Sequence, residues 1–385
     1  MMKIVLKRKE IIPLIYCALI TVYYTLKGWK YSNDVLEVLL MIAIICGLFN
    51  ATQFIMHQWE KLILVLLFII LTIYKLLLGA DTRMMVSMIA ILVGMSVDFD
   101  KLARWMLTTK FITFLIAFFI GGYTHVNYVA MNMGIIISLI LYIYYPKNKW
   151  NTFLVIMFMY LLTIYITRSG SIILCIGIGI FLYAILNTKL GKKILTLKFM
   201  IFLFPIILFL NWFLVALYLA YIYKNPNFYF IKDFIPNALS PKIYLLLNAL
   251  NVGLSGRIEL AAFSFKKFGF SLWGGNINYS VDTGLPYFLI DSGMILLLQD
   301  WGLIMSVAVM ALFVFFMYKV VKEKEYRLII SAIIISLWAF NEDTLLSAGM
   351  NYLFFAIGNE LYKSRNIISK KYKKQVKRYK KKICM

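Results

Sequence analysis

The chain has 385 residues, is 63% hydrophobic with a mean hydropathy of +0.84, and sets 40 basic side chains against 17 acidic ones, for a formal charge of +23. Soluble domains are closer to half apolar, so the composition excludes an ordinary globular protein and puts the chain in a bilayer. Such a charge on a soluble protein would point to nucleic acid, but here it falls at the ends of apolar runs and in the segment Lys363 to Lys382, so anionic membrane lipids are expected as partners and no nucleic acid.

A membrane-spanning helix needs roughly 17–25 mostly apolar residues. Twelve runs qualify or nearly so: 11–26, 34–56, 62–78, 84–97, 107–122, 127–145, 150–166, 170–187, 199–223, 292–320, 327–341 and 345–362. The fourth is short, and the seventh and eighth are separated only by Thr167-Arg168-Ser169-Gly170. With a cytoplasmic N-terminus, the inner segments hold 29 basic residues, Lys110 counted among them, and the outer segments 9, of which 6 lie in one loop. That bias predicts both termini inside and the loop outside. The expected fold is therefore an all-α polytopic membrane protein of about 12 helices. Residues 1–223 carry helices 1–9, 224–290 form an extracytoplasmic loop, 291–362 carry helices 10–12, and 363–385 form a basic cytoplasmic tail. Residues 3–26 have the charge and hydropathy of a signal peptide but no small-x-small cleavage pattern follows, so the first helix reads as retained.

The four cysteines, Cys17, Cys46, Cys175 and Cys384, form no ligand-spaced pair. No P-loop, dinucleotide-binding glycine turn, zinc-protease motif or nucleophile elbow is present, so neither a cofactor nor a metal is expected.

The loop from Lys224 to Ile290 is rich in Phe, Tyr and Leu, unlike a disordered linker. Ser240-Pro241 predicts the start of an interfacial helix running to about Leu250, and a second helix is expected from Ser255-Gly256 to Phe268. Arg257, at the start of that second helix, adds a forked donor beside backbone N–H groups, an arrangement suited to an anion. Other outer-side polar groups are His125, Arg168, Asp291 and the Glu342-Asp343 pair. Arg168 reads equally as a structural turn, and Glu342-Asp343 as a solvated hinge. Asp300 falls a third of the way along the expected tenth helix, where a charge must pair or line a cavity. Asn278-Tyr279-Ser280 fits a three-residue glycosylation sequon, and His57 beside Trp59 reads as interfacial.

Several of these stretches together resemble one family. Leu254-Ser255-Gly256-Arg257 followed by Trp273-Gly274-Gly275 is similar to the Ser-Gly-Arg loop of the Wzy-type polysaccharide polymerases and their relatives, the O-antigen ligases. Asp291 to Ile304 resembles the family's Asp-Asn-x-Tyr-Leu segment, Gly121 to Asn127 its His-Pro-Asn segment, and Ile166 to Gly170 its Thr-x-Ser-Arg-Thr-Gly segment. Glu342 stands where the family often has a glutamate between the last two helices.

The resemblance implies a GT-C-like membrane glycosyltransferase in a bacterial cytoplasmic membrane. It would polymerise undecaprenyl-pyrophosphate-linked oligosaccharide repeat units into capsule, exopolysaccharide or O-antigen, with chain-length regulator and flippase proteins as partners. A pyrophosphate leaving group needs charge stabilisation more than a general acid, which Arg257 and Arg168 would supply. The acceptor hydroxyl would use a base, with His125, Asp291 and Glu342 as candidates. An O-antigen ligase-type glycan transferase and a lipid-linked oligosaccharide flippase or other transporter are the alternative readings.

Overall fold

A computed structural model describes residues 10–30, 34–55, 82–144, 149–186, 188–233, 239–275, 277 and 290–362. The apolar run at 62–78, His57, the sequon, Asp282 and the basic tail lie outside these residues. All regular structure among the described residues is helical, apart from a single bridge between Trp29 and Tyr123. Among the described residues, five helices are long and apolar enough to cross a membrane, and the chain is of the multi-pass membrane type.

The helices follow in chain order: α1 (Ile11–Leu26), α2 (Asp34–Ile55), α3 (Arg83–Gly94), α4 (Phe99–Phe119), α5 (Val126–Tyr144), α6 (Lys149–Thr167), α7 (Gly170–Ile185), α8 (Lys189–Leu195) and α9 (Leu203–Tyr221). In the expected outer loop come α10 (Phe230–Asp233), α11 (Ser240–Gly253) and α12 (Arg257–Phe268). Then follow α13 (Gly293–Asp300), α14 (Gly302–Lys322), α15 (Tyr326–Asn341) and α16 (353–362). Both helices expected in the loop are present. The five long apolar stretches are α4, α5, α6 from Trp150, the segment Lys198–Tyr221 that ends in α9, and α14.

Four local expectations are corrected. The tenth run is not one helix: it breaks at Trp301-Gly302, where Gly302 takes φ +80, so Asp300 ends a short helix instead of lying within a long one. The fourth run gives only the 12-residue α3. The last run is helical only over 353–362, and residues 342–352 before it are irregular and almost entirely buried. Buried irregular backbone survives only where protein satisfies its polar groups. Here Asn351 Nδ2 donates to Leu345 O at 2.8 Å and Ser87 Oγ to Leu346 O at 2.6 Å. Finally, Lys110 is no headgroup-facing residue. It is fully buried within α4, with Nζ 3.2 Å from Thr25 Oγ1 and 3.4 Å from Gly349 O.

Helices α3 and α16 cross with almost no side chain between them. A Cβ on Gly94 would overlap the Phe355 carbonyl, and one on Gly358 the Ile91 carbonyl. Small residues permit such close approach where lipid gives no hydrophobic drive for helix association. Gly358→Val should therefore remove most of the folded protein, read as loss of the monodisperse peak in detergent size-exclusion chromatography. Gly253→Ala, which meets open space, should leave that peak unchanged.

Polar side chains gather at two opposite ends of the bundle. One end joins Lys101 to Glu10 at 2.9 Å, Arg327 to Asp100 at 3.6 Å and Lys319 to Glu360 at 3.5 Å. The other end collects the last turn of α1, the first turns of α3 and α5, the entry to α13 and the exit of α15. The alternation read from the charge count assigns these segments to one face, and the fold brings them together.

Candidate functional site

At that second end lies a cavity of about 710 Å³ whose lining includes Lys27, Arg83, His125, Asp291, Glu342 and Asp343. Its size is that of a small-molecule or headgroup site.

Arg257 reaches two of the lining carboxylates, Asp291 and Glu342, through the backbone of its own motif. Helix α11 ends at Gly253. Ser255 (φ +56) and Gly256 (φ +80) then follow in the left-handed region, and Gly256 N donates to Asn251 O at 2.8 Å. This is a helix stop that reverses the chain within three residues, and glycine takes the second left-handed position without strain. Asn251 secures the new start: its Oδ1 accepts from Glu259 N at 3.0 Å and its Nδ2 donates to Glu259 Oε2 at 3.2 Å. Arg257 thus opens α12 with its side chain only 13% exposed. Its Nη2 donates to Glu342 Oε1 at 2.8 Å and its Nε to Asp291 Oδ2 at 3.3 Å.

Glu342 is therefore not in a solvated hinge. Its side chain is 6% exposed, and its Oε1 also accepts from Ser171 Oγ at 2.8 Å. Burial raises its carboxyl above the usual carboxylate range, while Arg257 and the Ser171 hydroxyl act in the opposite direction. Asp343 is paired with Arg83 on the cavity lining, its side chain 27% exposed. Asp291 is the more accessible partner of Arg257, with a side chain 30% exposed. It is pinned through its neighbours: Gly293 N donates to Glu342 O at 3.2 Å, and Asn211 Nδ2 donates to Ser292 Oγ at 3.0 Å and to Phe340 O at 2.8 Å.

His125 sits on the cavity lining because its loop is fastened to the end of α1. Thr124 donates to Gly28 O from both N, at 2.7 Å, and Oγ1, at 2.9 Å. Tyr123 OH donates to Thr25 O at 2.9 Å. The imidazole Nδ1 accepts from Asn127 N at 3.2 Å, so Nε2 is the nitrogen left for a ligand.

The fold thus brings His125, Asp291 and Glu342 onto one lining, with Arg257 paired to the two carboxylates. It does not bring Arg168 to the cavity lining. That residue is exposed at the end of α6 with φ +50, and its turn contributes instead through Ser171. Sequence reasoning missed Lys27, Arg83 and Ser171. Among the described residues, no group of three or more His, Cys, Asp or Glu stands close enough to hold a metal ion.

The turn Trp273-Gly274-Gly275 has a different place. It docks on the break between α13 and α14: Gly275 N donates to Gln299 O at 2.7 Å, Leu303 N to Ser271 O at 3.1 Å and Ile304 N to Leu272 O at 3.1 Å. Gln299 completes the seal, donating to Gly269 O at 2.9 Å and accepting from Ser264 Oγ at 2.7 Å.

No protein-family model, curated protein or solved structure matches the chain. Fold and site together define a multi-pass helical membrane protein with a polar, charge-paired cavity at one end of its bundle.

Proposed function

We propose that this protein is a membrane glycosyltransferase that polymerises pyrophosphate-lipid-linked oligosaccharide units, with the cavity as its active site. One observation carries the reading. Three of the five residues singled out from separate motif stretches, His125, Asp291 and Glu342, line one cavity, and a fourth, Arg257, joins the two carboxylates.

In this reading a hydroxyl of the acceptor sugar attacks the anomeric carbon of the donor glycan. The carbon–oxygen bond to pyrophosphate breaks, and the pyrophosphate leaves with the electron pair. The hydroxyl proton passes to a carboxylate. Asp291 suits the base role best. It is the more exposed of the two, and its contact to Arg257 is the longer, at 3.3 Å against 2.8 Å. Glu342, held by both Ser171 and Arg257, keeps Arg257 in place. Arg257 answers the charge that develops on the leaving oxygen, a role that counts only as the bond breaks. His125 offers Nε2 to a sugar hydroxyl or phosphate oxygen.

The test is glycan length on gels from cells that lack the chain and are then complemented. Deletion should leave exported single repeat units on their lipid carrier, and the wild type should restore polymer. Normal polymer in the deletion strain, or units trapped inside the cell, would reject the reading. Asp291→Asn should lower polymer formation by about 100-fold or more, as loss of a general base does, and His125→Ala by about tenfold. The reverse order would give the base role to His125.

A further inference from the structure

Among the described residues, Arg83, Arg257 and Lys319 bury most of their side chains and each pairs with an acid. Lys110, midway along α4, is fully buried and has no carboxylate within ion-pair distance among the described residues. Its Nζ meets Thr25 Oγ1 at 3.2 Å, Gly349 O at 3.4 Å and Met350 Sδ at 3.4 Å. All three atoms accept. The Thr25 hydroxyl gives its proton to Thr21 O at 2.6 Å, so its oxygen can only receive from Lys110. An ammonium has three donors and no acceptor, and this cage matches it donor for donor. Yet none of the three neighbours carries a charge. A cation buried inside a membrane-length helix is costly unless something negative answers it.

The cavity is where that answer can come from. Met350 is on its lining, as are Tyr24 and Lys27 to either side of Thr25. The Lys110 ammonium therefore stands one side chain behind the cavity wall. The lining itself sets Lys27 and Arg83 against Asp291, Glu342 and Asp343, a balance that would repel an anion. Arg257 adds a third cation through its contacts to Asp291 and Glu342, and Lys110 adds a fourth from behind Met350. The charge that tips the balance is thus one the lining does not display. The thioether keeps water from Lys110, and in such surroundings a charge is felt further than in water. We propose that Lys110 is the concealed counter-charge for a phosphate-bearing ligand in the cavity, acting across Met350 without touching the ligand. That the ligand is the pyrophosphate of a lipid-linked unit rests on the polymerase reading; the counter-charge itself does not. Lys110 adds affinity in proportion to the charge of the bound group.

The experiment is calorimetric titration of the full chain in phosphatidylcholine nanodiscs, at fixed pH and ionic strength, with inorganic pyrophosphate and with methyl phosphate. Lys110→Met keeps the length of the side chain and removes its charge. It should weaken pyrophosphate binding by about fivefold or more and methyl phosphate binding by about twofold, because a field acts in proportion to the charge of the ligand. A misshapen wall would weaken the two alike. Should Lys110→Met give no monodisperse peak, Lys110→Gln, which keeps two donors for the cage, takes its place with the same expected pattern. Unchanged pyrophosphate affinity, equal loss for both ligands, or no binding of pyrophosphate to the wild type overturns the proposal. Phosphatidylglycerol added to the nanodiscs should leave pyrophosphate affinity unchanged. Competition by it would give the cavity to bulk headgroups and overturn the assignment to a lipid-linked unit. The two readings fail separately. If the deletion strain still makes polymer while Lys110→Met shows the graded loss, the counter-charge stands and the polymerase reading falls. If polymer depends on the chain but the variant binds pyrophosphate as the wild type does, the counter-charge alone falls.

Discussion

Arg257→Ala should abolish long polymer and also weaken the folded protein. Two different losses are involved, and a set of variants separates them. The first is structural. Glu342, 6% exposed, would keep its charge without its guanidinium. Removing one partner of a buried pair costs about 3–5 kcal/mol, because the other charge stays buried and uncompensated. That part should shrink on acidification. Burial already raises the Glu342 carboxyl, and without Arg257 it rises further. Folding of the variant then takes up a proton, so its stability falls as pH rises from the unfolded value of about 4.3 through the raised folded pKa, and is recovered in acid. The second loss is chemical and does not depend on folding. Arg257→Gln/Glu342→Gln replaces the ion pair by two amides and should melt in detergent near the wild-type temperature, yet make little polymer. Arg257→Lys keeps the charge but cannot meet Asp291 and Glu342 at once in the geometry of the fork, so it should also lose most activity. A double variant with normal polymer would show that Arg257 is only structural.

The sequence carried the large features because they depend on additive quantities. Hydropathy set the long helices, and the alternation of basic and polar segments told which helix ends share a face. His125, Asp291 and Glu342 come from distant stretches and still line one cavity, as that alternation required. What the sequence hid was local. Nothing in the apolar run 292–320 announces a break except Gly302, and a glycine inside a membrane helix is common. Glu342-Asp343 looked like a hydrated hinge because acidic residues between two apolar runs usually are. Only the three-dimensional arrangement brings Arg257 and Arg83 to them from 85 and 260 residues away. One signal was overlooked. Of the nine basic residues assigned to the outer side, only Lys27, Lys30 and Arg83 lie outside the long loop. Each breaks the positive-inside bias, and two of the three line the cavity.

The helix break leads to the other large expected effect. Gly302→Ala and Gly274→Ala should each destabilise the protein by about 2–4 kcal/mol, combining the strain of a left-handed alanine with overpacking against backbone. Gly302 has φ +80, and a Cβ there would overlap Gly274 N. Gly274 has φ +79, and its Cβ would overlap the Asp300 carbonyl. Neither contact can relax by a rotamer change, because the opposing atoms are main chain. The consequence extends to the cavity. Helix α13 is eight residues long, with Asp291 and Ser292 just before its first turn and the docked glycine turn at its last. A displaced turn would leave the Gln299 carbonyl and the Leu303 and Ile304 amides without their present partners. The short helix would then shift as a unit and carry Asp291 away from Arg257. Polymer length should therefore fall in the surviving folded fraction of Gly274→Ala, not only its yield. Gly275→Ala is the control. It lies in the same turn but meets nothing within 4 Å and has no positive φ, so it should keep both its melting temperature and its polymer. If Gly274→Ala behaves like Gly275→Ala in both measurements, the docked turn does not set the position of α13, and the link from the loop to Asp291 fails.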